Sequence, residues 1–173
     1  GNPRAYRACR RLCVGTVFGN LRPDEMEPKM NHPLRHVLLS AMKDEGPFVL
    51  EFVAHHRVLG FDAIHIASND CSDGTDLLLD ALAAQGVITH TPNPLKPKDT
   101  PQHRGYARMR ADLNVDDADW VMVLDADEFL NVHVGDRTVG TLVQALVDRL
   151  CMLVNWRIFG TGGNRRFPGR LVS

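Results

Sequence analysis

The stretch WVMVLDADEFL, residues 120–130, runs five apolar residues into three acids, and two of those, Asp125 and Asp127, stand one alanine apart. An unbroken apolar run bounded by polar residues is the pattern of a strand buried on both faces, as in a parallel sheet. Open α/β sheets bind their ligands in the crevice beyond the carboxyl ends of the strands, and the acids fall at that end of this strand. Two carboxylates so placed repel each other and lose hydration. A divalent cation relieves both costs, and Mg²⁺ or Mn²⁺ held by one or two carboxylates completes its shell with water and substrate phosphates. Spacing alone leaves a plainer alternative open, in which the acids end the strand and Asp125 or Asp127 caps the next turn.

Outward from this strand, the chain alternates strand and helix patterns. RHVLLSAMK (35–43), DAIHIASND (62–70), VITHT (87–91) and CMLVNWRIF (151–159) read as strands. Between them, residues 44–62 place Phe48 and Phe52, and Val49 and Val53, at helical spacing, with Gly60 as the stop. CSDGT offers turn and cap residues before DLLLDALAAQG, where Leu78 and Leu82 share a face. Residues 102–118 and 138–150 read as two more helices. PNPLKPKDTP carries four prolines in ten residues and is expected to be an extended loop, because proline neither donates to a ladder nor continues a helix. Strands alternating with helices predict an α/β fold with a mainly parallel sheet flanked by helices. Residues 1–35 show little periodicity and read as an extension or linker, with Met30 a candidate start; residues 36–173 read as a single domain.

Composition narrows the partners. The 173 residues suffice for one core, and 44% apolar with 24% charged residues is ordinary for a globular chain. A net charge of -1 argues against a broad nucleic-acid surface, although Arg4, Arg7, Arg10 and Arg11 near one end and Arg165, Arg166 and Arg170 near the other form basic clusters. No apolar run approaches the roughly 20 residues of a membrane span, and no secretory signal is expected. Cys9, Cys13, Cys71 and Cys151 are too few and scattered for a disulfide framework, so reduced thiols and a cytoplasmic setting are expected. Cys9, Cys13, His32 and His36 mimic a zinc finger in composition only, since the gap from Cys13 to His32 exceeds the roughly 12 residues usual there. His55 and His56 are helix neighbours about 100° apart and cannot chelate one ion together.

Four blocks in order, KDEGPFVLEFVAHHRVLGFD, SNDCSDGTDLLLDAL, DWVMVLDADEFL and NWRIFGTGG, resemble a family 2-type glycosyltransferase of the GT-A fold, a Rossmann-like nucleotide-sugar fold, and in particular its bacterial branch with the EGPF opening. The resemblance covers residues from about His36 to Ser173. It implies a metal-dependent, inverting transfer of a sugar from a nucleoside diphosphate donor, foremost a UDP-sugar, to a carbohydrate or lipid-linked acceptor, with Mn²⁺ or Mg²⁺ as cofactor.

Site residues follow from the same resemblance. Lys43, Asp44 and Glu45 after the first strand, and Ser68, Asn69, Asp70 and Asp73 after the second, would hold base and ribose. Asn69 stands where the commoner family pattern DDGSTDGT has an aspartate. Asp125 is assigned to ribose or metal-bound water, Asp127 to the metal, and Glu128 to orienting the pair, which makes Asp125 and Asp127 the catalytic carboxylates. His103, Arg104 and Tyr106 would meet diphosphate or ribose, since a guanidinium matches phosphate oxygens.

Plainer readings stand beside these assignments: a turn and helix cap at Asp73 to Thr75, a solvated helix start at His103 to Tyr106, and a core position for Trp156, which otherwise stacks on a sugar. GTGGNRRFPG reads as a loop over the site. The resemblance expects the catalytic base in sequence after this region, so the chain reads as the donor half of a truncated enzyme. A non-catalytic nucleotide-binding domain is the main alternative. A haloacid-dehalogenase-like phosphatase also places a DxD after an apolar strand, but on its first strand and with Thr or Val two residues on, where this chain has Phe129.

Overall fold

The computed structural model describes residues 16–19, 35–146, 149, 151–160 and 163. The terminal arginine clusters, Cys9, Cys13, Met30, His32 and most of the GTGGNRRFPG loop lie outside the described residues.

In chain order the elements are β1 (Thr16–Gly19), β2 (His36–Met42), α1 (Gly46–Val58), β3 (Ala63–Ser68), α2 (Thr75–Ala84), β4 (Thr89–Pro92), α3 (Pro101–Asp112), a 3₁₀ turn (Val115–Asp117), β5 (Trp120–Val123), α4 (Val139–Gln144) and β6 (Cys151–Leu153). They build a six-stranded sheet of order β4-β3-β2-β5-β1-β6. Four of its strands, β4-β3-β2-β5, are parallel throughout, with Leu38 opposite Ile64 on one side and Met122 on the other.

Alternate residues of these strands feed two cores. Leu38, Met42, Ile64, Ile66 and Met122 pack with Val49, Phe52 and Val53 of α1 and Leu79 of α2. Val37, Leu39, Ala67, Val121 and Val123 pack with Tyr106 and Met109 of α3. Burial on both faces is why β2 and β5 are apolar at nearly every position.

Topology decides where a ligand can sit. The chain fills β2, β3 and β4 in one direction, then returns to lay β5 against the opposite side of β2. Strand order therefore reverses between β2 and β5, and the crevice at their carboxyl ends is the switch point where open α/β sheets take ligands.

Several boundaries differ from the pattern read along the chain. The aperiodic first segment contributes β1, antiparallel between β5 and β6, with Val17 opposite both Met122 and Met152. A strand of four residues carries too few alternations to show a period, and its partners lie more than a hundred residues away. β5 ends at Val123; the Leu124 amide still donates to the Leu39 carbonyl at 3.1 Å, and the chain then turns through residues 125–128, with the Glu128 amide donating to the Asp125 carbonyl at 3.0 Å. β6 stops at Leu153 and α4 at Gln144, both shorter than their apolar patterns. Gly60 ends α1 as expected, at φ +91°, with its amide on the Arg57 carbonyl.

One glycine sets how closely α3 approaches the site edge. A Cβ on Gly105 would lie 3.0 Å from the Ala67 Cβ, 3.4 Å from the Asn93 Nδ2 and 3.8 Å from the Ala41 Cβ. Gly105→Ala gains about 1 kcal/mol of helix propensity and loses about 1–3 kcal/mol to overpacking. The variant is expected to melt a few degrees below the parent in a thermal scan; an unchanged or higher midpoint refutes the close-approach role.

Candidate functional site

The carboxyl edge of β2 and β5 gathers four carboxylates. β5 delivers Asp125, Asp127 and Glu128, and the turn after β2 delivers Glu45. Asp125 and Glu128 close the turn on themselves: the Asp125 amide donates to the Glu128 Oε2 at 2.8 Å and the Glu128 amide donates back to the Asp125 carbonyl. Ala126 between the aspartates is buried at 3% exposure, which holds the turn down while Asp127 stays exposed. Asp125 is half-buried and accepts from Gln102 Nε2 of α3 at 3.0 Å. The Asp127 carboxylate has no hydrogen-bond or cation partner among the described residues.

These acids raise one another. Burial pushes the Asp125 carboxyl up, Asp127 adds to it, and Gln102 partly offsets both. Glu45 is pushed up by burial and then by Asp127, Asp73, Asp125 and Asp44. Glu128 is pushed up by burial, relieved by the Asp125 amide, and pushed further by Asp125 and Asp127; the Trp156 indole N–H, hydrogen-bonded to it, offsets a little. None of these influences comes from a lysine or arginine, so the negative charge is uncompensated from within the described residues.

Such a cluster is a cost to the fold that a bound cation removes. Among the described residues, no group of three or more His, Cys, Asp or Glu side chains is arranged to hold a metal by itself. Hard divalent cations are commonly held by one or two carboxylates, with water and phosphate oxygens completing the shell.

The neighbouring residues divide into groups that face this edge and groups that are otherwise engaged. Asp73 binds backbone at the start of two helices: its carboxylate accepts from the Thr75 amide at 2.9 Å, the Thr75 hydroxyl at 2.6 Å and the Gly46 amide at 3.1 Å. Those bonds, the Thr75 hydroxyl first, hold its carboxyl low; Asp73 closes the turn before α2, whose N-cap is Gly74. Asp44, at φ +56°, accepts from the Ser72 amide at 2.6 Å and hydroxyl at 3.1 Å. The loops after β2 and β3 are thus cross-tied, which fixes Glu45 beside Asp127.

Asn69, buried at 3% exposure, accepts from Asn93 Nδ2 at 2.5 Å, and the same Asn93 amide donates to the Pro101 carbonyl at 3.1 Å. Asp70, at φ +46°, accepts from the Leu95 amide at 3.4 Å. Arg104 is ion-paired with Asp99 of the proline-rich loop, and Lys43 is exposed one residue past β2. The structure therefore brings together Glu45, Asp125 and Asp127; it ties Asn69, Asp70 and Arg104 to partners of their own.

Tyr106 lies under the acids with its hydroxyl buried and unpartnered among the described residues, and burial, then Asp125 and Glu128, push its phenol up. Trp156 is 64% exposed rather than core. Gln102 belongs to no motif in the sequence; its local signal is an amide at the second position of the helix that precedes the DxD strand.

A second polar chain carries the residue types of a hydrolytic triad. Asp80 accepts from His90 Nδ1 at 2.7 Å, and His90 Nε2 meets the Ser68 hydroxyl at 2.9 Å. Ser68 is only 6% exposed, and the amide after it is spent on the Met42 carbonyl at 2.9 Å, so that amide does not serve an oxyanion. Its role is to pin β4 to β3 and α2.

Fold and edge together define an α/β protein whose four parallel strands end in a cluster of acids at the switch point. No family model, curated protein or solved structure matches the chain. No helix among the described residues is long and apolar enough to cross a membrane.

Proposed function

We propose that this chain is a metal-dependent glycosyltransferase domain of the GT-A type, which moves a sugar from a nucleoside diphosphate donor, a UDP-sugar first, to a carbohydrate or lipid-linked acceptor. The observation that carries the reading is the position of Asp125 and Asp127: at the carboxyl end of β5, beside Glu45 of the turn after β2, at the point where strand order reverses, with charge that no cation among the described residues offsets. Asp127, exposed and unpartnered among the described residues, is the direct ligand for Mn²⁺ or Mg²⁺. Asp125, held by Gln102, meets ribose or a metal-bound water. When bound, the cation supplies positive charge to the diphosphate as it departs. Around it, the Asp125–Glu128 turn fixes the carboxylates, and the cross-tied loops after β2 and β3 hold Glu45 at the same edge. The free thiols of Cys71 and Cys151 suit a cytoplasmic site of action.

One observation favours a second reading, a nucleotide-binding domain without catalysis. Asn69 and Arg104, the resemblance's contacts for base and diphosphate, already have partners in Asn93 and Asp99. A phosphatase is disfavoured by a DxD that follows β5 rather than the first strand.

Calorimetric titration of UDP, GDP and dTDP with and without Mn²⁺ tests the first reading, with metal-dependent UDP binding the expected result. Binding that ignores the metal, or none, overturns it. Metal-dependent binding with neither transfer nor hydrolysis of a UDP-sugar selects the second reading.

A further inference from the structure

The chain carries consecutive histidines that no metal or substrate role absorbs. Adjacent helix residues point about 100° apart, which prevents chelation but allows two rings to bracket the backbone of one residue from a neighbouring segment. That arrangement is present at Leu130, the residue at which the acid turn re-enters the core. His55 Nε2 donates to the Leu130 carbonyl at 2.9 Å. The Leu130 amide donates to His56 Nε2 at 3.4 Å, and His56 Nδ1 donates to the Phe52 carbonyl at 2.8 Å.

The tautomers follow from the partners. Carbonyls only accept, so His55 carries a proton on Nε2 and His56 on Nδ1, which leaves the His56 Nε2 lone pair for the Leu130 amide. Phe129 sits in the same nest, 5.2 Å from the His55 ring centroid, 6.0 Å from His56 and 6.2 Å from Phe52. Leu130 itself is 4% exposed and His56 fully buried.

We infer that His55 and His56 are positioning residues for the acid turn: by holding the backbone amide and the carbonyl of Leu130 they set where Asp125 and Asp127 stand against Glu45. The need for such a hold comes from the charge. Glu45, Asp125, Asp127 and Glu128 repel one another, and a turn bearing three of them would swing away from the edge unless its foot were fixed. The same helix supplies both sides of the arrangement, since α1 begins immediately after Glu45 and carries the two histidines further along. That the turn holds a metal-bound diphosphate rests on the proposed function; that the histidines hold the turn does not.

The test compares ¹H–¹⁵N spectra and amide exchange of the full chain for the parent, His55→Leu, His56→Leu and His55→Gln. Either leucine variant is expected to speed Leu130 exchange about fivefold or more relative to Ile66, the equivalent of one net hydrogen bond, and to move the amide resonances of residues 125–128. Glutamine keeps a donor within reach, so His55→Gln restores the parental shifts, which a generic packing role does not predict. His55 is only partly buried, so its leucine variant remains informative where His56→Leu does not fold. Unmoved resonances at residues 125–128, or no rescue by glutamine, overturn the inference. Moved and rescued resonances in a protein that binds neither Mn²⁺ nor UDP uphold the clamp and remove the proposed function instead.

Discussion

Asp127→Ala is expected to abolish the metal dependence of UDP binding. A cation on a diphosphate contributes several kcal/mol, so UDP affinity in Mn²⁺ falls on the order of 100-fold, toward whatever the protein achieves without metal. Asp125→Ala removes a half-buried carboxylate that Gln102 already partners, and its effect on metal is expected to be smaller. The opposite sign appears in stability. Asp127 pushes up Glu45, Asp125 and Glu128 while making no hydrogen bond among the described residues. Asp127→Asn therefore relieves repulsion, and without metal it is expected to stabilise the protein by about 0.2–1 kcal/mol, the scale of an exposed charge interaction. Added Mn²⁺ should raise the melting point of the parent and leave that of Asp127→Asn unchanged. An acid that merely capped a turn predicts the reverse, a loss of stability on replacement and no response to metal. Unchanged UDP affinity of Asp127→Ala in Mn²⁺ removes the assignment of Asp127 to the metal.

The second large effect is acid lability. Burial lowers His56 from 6.5 to about 4, the His55 charge adding a little and the Phe52 carbonyl opposing it. His65, in the middle of β3 with both ring nitrogens unpartnered among the described residues, is lowered from 6.5 to about 4 by burial and then by Arg35. Between those values the unfolded chain takes up protons that the folded chain refuses, so the stability each neutral imidazole contributes is present above 6.5 and lost as pH falls toward 4. At about 1.4 kcal/mol per pH unit, each histidine removes about 3 kcal/mol, and the two together approach the whole stability of an ordinary domain, about 5–15 kcal/mol.

The raised carboxyls of Glu45, Asp125 and Glu128 act with the opposite sign. Their repulsion is lost as they protonate, which favours the folded state as pH falls through their range. They therefore oppose the loss that the histidines cause. Urea midpoints taken from pH 7 to pH 4 are expected to fall steeply below about 6.5. His65→Leu replaces an unpartnered imidazole with an apolar side chain, and should stabilise more at pH 5 than at pH 7. A flat profile, or an equal gain at both, refutes the assignment to buried neutral imidazoles.

Much of the framework was legible from local pattern. β2 and β5 show themselves because a strand buried on both faces must be apolar without a break, and α1 because Val49, Phe52 and Val53 recur at the helical period. The position of the acids at a strand end was legible for the same reason: apolar residues stop where the sheet stops. Arg104 illustrates the limit. Its residue type suits a phosphate, yet Asp99 in the preceding loop takes it first. No property of a short window shows which of two anions is nearer.

What the sequence determined by itself is the α/β alternation and a pair of aspartates at the end of a buried strand, because hydrophobic period and run length are properties of neighbours along the chain. Tertiary structure alone decided that strand order reverses beside those aspartates, that Glu45 joins them and Gln102 steadies them, and that β1 completes the sheet. Each of these depends on contacts between segments far apart in the chain, where charge and hydrogen bonding act through distance in space.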